Sequence, residues 1–350
     1  MRVLVATDAW HPQVNGVVRS LEHMAGQAAH FGAEVRFLTP QDFRSVPLPT
    51  YSEIRLSLAT ARAVARHMAA AGPAHVHIAT EGPIGWAARR VCLDQGRPFT
   101  TSYHTRFPEY VSARIPIPEA WSYRVLRHFH GAAAATFVST PSLETELRQR
   151  GFERLARWTR GVDTALFRPR PGKDVLQAAA PVFLYVGRVS VEKNLEAFLR
   201  LDLPGTKVIV GDGPARLDLE ARYPDAHFLG ALTGEALARV YAAADVFVFP
   251  SLTDTFGIVL LEALASGLPV AAFPVAAPRD VLGESGCGAL DEDLGAACLR
   301  ALAIPRARCR AYGETFTWQD SARQFFGAIE RAQRGVITTL SFQDVYAVSE

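Results

Sequence analysis

The sequence predicts an α/β protein made of two tandem doubly wound domains, and three observations lead there. Short β-rich runs alternate with longer helical runs along nearly the whole chain, the pattern of βαβ units in a parallel sheet. That alternation stops once, over the proline-bearing stretch 163–181, and then restarts. A length of 350 residues suits two domains of about 100–200 residues each, and 49% hydrophobic with 21% charged residues is ordinary globular composition.

In the first domain, RVLVAT (2–7) leads to a helix over Val17–Phe31, followed by EVRFLT (34–39), a helix over Ala59–Ala71 and HVHIAT (75–80). A helix over Gly85–Gln95, the strand FTTSYH (99–104) and the strand ATFVST (135–140) continue the series. The next helix opens at Pro141, where the missing N–H costs nothing, and closes on Gly151. These elements place a first domain at 1–165 and a second at 166–317. The second reads PVFLYVG (181–187), helix Asn194–Leu201, KVIVGDG (207–213), helix Ala215–Tyr223, HFLG (227–230), helix Gly234–Ala244, DVFVFPS (245–251), helix Gly257–Ser266 and LPVAAF (268–273). A C-terminal segment, 318–350, opens with a helical stretch to about Arg334 that no strand follows, and it is expected to pack back toward the first domain. Residues 336–350 carry no readable signal.

Composition excludes several classes. No apolar run approaches the ~18 residues of a membrane-spanning helix, and the first residues read as a buried strand, not as a signal peptide. A cytoplasmic protein with at most peripheral membrane contact is expected. Cys92, Cys287, Cys298 and Cys309 show no metal or redox spacing and read as reduced thiols in the core, so no cofactor or metal is expected. The net charge of +2 conceals an asymmetry: residues 1–165 hold 19 Arg against 13 acids, whereas 166–350 hold 18 basic against 22 acidic residues. The basic half suits an anionic membrane surface; no nucleic-acid partner is expected.

Doubly wound sheets bind ligands at the carboxyl ends of their strands, so four strand-end segments carry the chemistry. SLTDTFGIVLLEALASGLPVAAF (251–273) leaves a strand and enters an apolar helix near Phe256-Gly257, where open N–H groups and the helix dipole favour an anion such as a diphosphate. Asp254 and Glu262 bracket its first turns; each reads either as a ligand contact or as a cap and a buried structural acid. LYVGRVSVEKN (184–194) brings Arg188 and Lys193 to one strand edge, where two cations can converge on one anion or simply meet solvent. Gly16 ends the first βα loop, in AWHPQVNGVVRS, and permits close backbone approach, although any βα turn does the same. No GxGxxG follows a strand, which removes the main support for a nicotinamide cofactor. His104 follows the strand in TTSYHTRFPEYV. Asp291-Glu292-Asp293 spells a metal-binding DxD but precedes a helix, and reads as its start.

Two acids flanking Phe256-Gly257, the second beginning Glu262-Ala263-Leu264-Ala265-Ser266-Gly267-Leu268-Pro269-Val270, resemble the signature of glycosyltransferase family 4. The resemblance covers nearly the whole chain and implies the GT-B fold, two Rossmann-like domains facing a central cleft. It departs at Asp254, where the family usually carries Glu. By resemblance His104, Arg188, Lys193 and Asp254 are catalytic: Arg188 and Lys193 stabilise the leaving diphosphate, Asp254 reaches the sugar hydroxyls and His104 lies near the reacting carbon. Gly16, Gly211, Gly230, Leu232, Thr255, Phe256, Gly257, Ile258 and Glu262 are implied donor contacts, with Glu262 holding the ribose. Arg106, Tyr110, Arg114, Trp121, Arg124 and Arg127, interleaved with aromatics over 103–130, suit an acceptor or membrane surface, or else a packing helix with a solvated basic face.

These residues imply a retaining, metal-independent hexosyltransferase using a nucleotide-sugar, with a UDP-sugar donor and a lipid acceptor, diacylglycerol. Competing readings are a GDP-mannose-dependent α-mannosyltransferase on a phosphatidylinositol-type lipid, a sugar-nucleotide epimerase of the same fold, and a non-catalytic sensor or membrane scaffold.

Overall fold

The computed structural model describes residues 1–12, 15–48, 51–112, 118–172 and 175–335. The chain divides into two units, one of Met1–Thr159 with Trp318 onward, the other of Arg160–Thr317.

The first unit runs β1 (Arg2–Ala6), α1 (Gly16–Gly26), β2 (Glu34–Leu38), β3 (Ser45–Leu48), β4 (Tyr51–Ser57), α2 (Ala61–Ala71), β5 (His75–Ile78), α3 (Pro83–Asp94), β6 (Phe99–Ser102), α4 (Phe107–Ser112), α5 (Glu119–Gly131), β7 (Ala135–Val138), α6 (Pro141–Gln149) and β8 (Leu155–Arg157). Its six-stranded sheet has the order β2-β1-β5-β6-β7-β8, with every neighbouring pair parallel. The register sets Val3 beside Val35 on one side and His75 on the other. Strands β5, β6 and β7 are buried along their full length, as a parallel sheet covered on both faces requires. The expected helix over Val17–Phe31 is broken: α1 stops at Gly26 and a 3-10 turn, Ala28–Phe31, follows. Hairpin β3–β4 stands apart as an antiparallel pair that the sequence reading did not contain.

The second unit runs β9 (Val182–Val186), α7 (Leu195–Leu199), β10 (Thr206–Val210), α8 (Arg216–Arg222), β11 (His227–Phe228), α9 (Gly234–Ala243), β12 (Val246–Phe249), α10 (Ile258–Ala265), β13 (Val270–Ala272), α11 (Ala276–Leu282), β14 (Gly288–Leu290), α12 (Leu294–Ala301) and α13 (Arg306–Gly313). Its sheet order is β11-β10-β9-β12-β13-β14, again all parallel. Strand order reverses between β9 and β12, so the loops leaving these two strands diverge and open a crevice at their carboxyl ends.

Helix α14 (Trp318–Gln333) belongs to the first unit. Its buried face supplies Phe325, Phe326 and Ile329 to a core shared with Val3, Val5, Leu21 and Phe137. Trp158 Nε1 donates to Ser321 Oγ at 3.0 Å, and Thr159 N donates to Gln324 Oε1 at 2.8 Å.

The sequence boundary at 165/166 moves to 159/160. The reason is packing: Val162 and Phe167 lie in the core of the second unit, and Val162 N donates to Phe316 O at 3.0 Å. Much of the expected linker is likewise anchored, because Arg310 donates to the carbonyls of Thr164 and Phe167. All four cysteines are buried free thiols, and burial pushes Cys92, Cys298 and Cys309 up to about 12.

Candidate functional site

The loops leaving β9 and β12 carry the candidate site in the second unit. After β9 the chain passes through Gly187 and Arg188, makes a 3-10 turn over Val191–Lys193, and reaches Asn194 in the left-handed conformation (φ 53°). The expected helix start at Asn194 therefore falls one residue later, at Leu195. The turn has a use: Asn194 Nδ2 donates to Pro250 O at 3.1 Å, tying the β9 loop to the β12 loop. Tyr185 Oη donates to Arg188 O at 2.7 Å and holds the backbone beneath that guanidinium. Burial, then the charges of Asp254 and Glu192, drives the Tyr185 hydroxyl well above its ordinary pKa, so it remains a donor.

From β12 the chain turns through Ser251, Thr253 and Asp254 into α10. Gly257 is its N-cap at φ 82°, a left-handed conformation that suits glycine, and no side chain among the described residues caps the helix. Helices leaving the carboxyl edge of the first sheet are different. Asn15 Oδ1 accepts from Val17 N and Val18 N, both at 3.0 Å, at the start of α1. Asp8 does the same for α3, accepting from Ile84 N at 2.9 Å and Gly85 N at 3.2 Å. Those first-turn donors already have partners, including the one beside Gly16, whereas the opening turn of α10 has no side-chain cap among the described residues.

Lys193 Nζ lies 2.5 Å from Asp254 Oδ1, with 22% and 17% of the two side chains exposed. Asp254 Oδ2 is buried with no hydrogen-bond partner, and so are Ser190 Oγ, Ser251 Oγ and Thr253 Oγ1. Native proteins leave few such atoms unsatisfied. Four of them lie on the two adjoining loops that leave β9 and β12.

Glu262 projects from α10 and is buried; Tyr241 Oη on α9 donates to its Oε2 at 3.0 Å. Phe256 is buried, and Ile258 packs on the core from a half-buried position. Thr255 is half-buried in the same loop. At the neighbouring strand ends Gly211 has φ 143°, and a Cβ there would sit 1.8 Å from Gly187 O. Gly211 N donates to Gly230 O at 2.8 Å, which draws the ends of β9, β10 and β11 together, with Leu232 half-buried just beyond.

Asp293 caps α12 by accepting from Gly295 N and Ala296 N, and Asp291 pairs with Arg300 at 2.7 Å. The DxD is thus used within the helix start.

In the first unit, His104 is buried just past β6 with its ring 5.6 Å from Trp158 in an edge-on contact. Arg106 differs from the expectation of an acceptor- or membrane-facing residue. Its side chain is only 13% exposed and pairs with Glu146 at 2.7 Å and Glu109 at 3.3 Å, an internal network. Trp121 (67% exposed), Arg124, Val125, Arg127 and His128 do lie on the outer face of α5. Arg114 and the side chain of Tyr110 lie outside the described residues. Ser190, Ser251, Thr253 and Asn194 escaped the sequence reading; the signal that could have found them is small polar residues beside each strand end.

Residues 14–166 match the family model described as Glycosyltransferase Family 4, and residues 180–303 match Glycosyl transferases group 1. The chain is 32% identical, over 81% of each sequence, to the GDP-mannose-dependent alpha-mannosyltransferase of Mycobacterium tuberculosis. It belongs to glycosyltransferase family 4. Other relatives include the sulfoquinovosyl transferase SQD2 of Arabidopsis thaliana, 31% identical over 78% of this chain, which spans 60% of SQD2. The alpha-monoglucosyldiacylglycerol synthase of Streptococcus pneumoniae is 26% identical over 98% of this chain and 88% of that protein. Sucrose-phosphate synthase from Thermosynechococcus elongatus superposes with a TM-score of 0.76 at 22% identity, covering 95% of this chain and 99% of that one. The two Rossmann-like sheets of this family 4 chain accordingly form a GT-B fold.

Proposed function

We propose that the protein is a retaining, metal-independent hexosyltransferase that moves a sugar from a UDP-sugar to a membrane lipid, diacylglycerol. The observation that carries the donor half is the Lys193–Asp254 pair, with Arg188 on the same loop as Lys193 and four unsatisfied buried oxygens on the two loops, where the second sheet reverses its strand order. A diphosphate fits the two cations and the open first turn of α10. The bond between anomeric carbon and phosphate oxygen breaks with its electron pair leaving on the phosphate, and the cations stabilise that charge. The leaving phosphate oxygen takes the acceptor proton on the same face, so no separate base is required. Glu262, a buried carboxylate on α10, suits the ribose hydroxyls.

The lipid half is supported by the outer face of α5, where Trp121 and Val125 stand beside Arg124 and His128. One relative, whose printed name is alpha-monoglucosyldiacylglycerol synthase, supports it further. No described helix is long and apolar enough to cross a membrane, which suits a peripheral enzyme on the cytoplasmic face. The second reading is a GDP-mannose donor with a phosphatidylinositol-type acceptor, favoured by mannosyltransferase relatives at 30–32% identity.

Nucleotide titration followed by transfer assays tests both. The true nucleoside diphosphate at a hundredfold excess over Kd adds about 2.7 kcal/mol of stability. Transfer from its sugar conjugate to diacylglycerol in vesicles proceeds in EDTA and is lost in Glu262→Ala. Stabilisation by GDP alone selects the mannosyl reading, consumption of sugar nucleotide without lipid selects an epimerase, and full activity of Glu262→Ala rejects the site.

A further inference from the structure

We infer that Asp254 is a sugar-sensing release element: it yields Lys193 to the diphosphate only while a sugar occupies the site, and reclaims it once the sugar has gone. The inference rests on the donor-site reading above and adds a function for the Lys193–Asp254 ion pair.

Lys193 Nζ, one of two cations expected to hold the diphosphate, lies 2.5 Å from Asp254 Oδ1. A diphosphate binding Lys193 therefore arrives beside a carboxylate. Both are anions in a recess whose side chains are about four-fifths buried, and at such separations like charges raise each other's free energy. Asp254 must exchange its cation for another hydrogen-bond donor. Ser251 and Thr253, on the same short loop, carry buried hydroxyl oxygens without partners, and Asp254 Oδ2 has none either. The loop thus presents an unpartnered carboxylate oxygen beside two hydroxyls that can each donate or accept, the complement of a polyhydroxylated ligand whose O–H groups do both.

An intact donor supplies both partners: phosphates for Lys193 and sugar hydroxyls for Asp254. After transfer the anomeric carbon is bonded to the acceptor oxygen, the acceptor proton is on the phosphate, and the sugar leaves with the acceptor. The bound nucleoside diphosphate then faces a carboxylate that has lost its donors. Re-forming the Lys193–Asp254 pair expels the product.

Calorimetric titration of UDP and GDP into wild type and Asp254→Asn tests this. Whichever nucleotide wild type binds is expected to bind Asp254→Asn at least about tenfold tighter, a gain of about 1.4 kcal/mol. Its inhibition constant as product falls in parallel, while the intact sugar nucleotide gains no affinity. Asp254→Ser, which removes the charge with a smaller side chain, is expected to act in the same direction, and thermal melts of both variants establish that they fold. Unchanged or weaker nucleoside diphosphate binding in the folded variants overturns the release role and leaves the donor site standing. Failure of wild type to bind either nucleotide overturns both.

Discussion

His75 shows how a residue with no part in the reaction can govern the protein's working range. It is buried in β5, with Nε2 2.9 Å from Thr100 Oγ1, a hydroxyl that also lies 2.9 Å from His77 Nδ1. Burial, then the charge of Arg97, lowers the His75 pKa from 6.5 to about 4. The folded pKa lies below the unfolded one, so the contribution is complete above pH 6.5 and is lost as pH falls toward 4. The loss amounts to about 3 kcal/mol. Denaturant titrations of wild type at pH 7 and pH 4.5 should differ accordingly, and His75→Gln should show a shallower dependence in that window. At this scale the sequence was informative about single charges: Arg188, Lys193 and Asp254 stand in loops beyond strand ends that periodicity locates, and Glu262 in the apolar helix that follows. Their pairing was not legible, because Lys193 and Asp254 are 61 positions apart and meet only through the sheet order. The hydroxyls of Ser190, Ser251 and Thr253 carried only the weak signal of small polar residues beside strand ends, which serine and threonine share with any loop.

Among the elements, α5 carries two different faces. Tyr123, Leu126, Phe129 and His130 face inward, and His130 Nε2 lies 3.1 Å from Glu81 Oε1 at the carboxyl edge of the first sheet. Trp121, Arg124, Val125 and His128 recur at helical spacing on the opposite side. If that side meets lipid, Trp121→Ala combined with Val125→Ser should weaken binding to anionic vesicles at least about tenfold in a flotation assay while leaving nucleotide affinity intact. Equal flotation of variant and wild type would remove α5 from the membrane surface. Strands and long helices were readable because their apolar periods are strong. The hairpin β3–β4, the three-residue strands β8 and β14, and the short helices α11 and α13 were not, since too few turns or alternations exist for a period to register. Arg106 illustrates a further limit: a basic residue in a basic segment became internal because Glu109 and Glu146 close around it.

The whole molecule redistributes charge differently from a simple cut of the sequence. With Trp318 onward assigned to the first unit, that unit holds 21 basic against 16 acidic residues, and the second 16 against 19. The asymmetry survives, at +5 and −3. Proline content and the pause in alternation located a boundary near 165; tertiary packing moved it because Val162 and Phe167 are apolar and find a core beside them. Ending the chain after Thr317 should leave the sheet of the second unit intact and open the first, because α14 takes Phe325, Phe326 and Ile329 with it. Limited proteolysis should then cleave within residues 1–159 and spare 160–317; equal resistance of both regions would show that α14 is dispensable.

That arrangement also orders events during synthesis. The second unit is a contiguous run that can acquire its hydrophobic core as soon as its last helix leaves the ribosome, whereas the first must wait, though it was made earlier, for a helix encoded behind both. A nascent chain therefore has all of the second unit's core available while Val3, Val5 and Leu21 of the first still lack the α14 side chains that cover them. A chain halted before residue 318 lacks Phe325, Phe326 and Ile329 of the first unit's core while it holds every residue of the second.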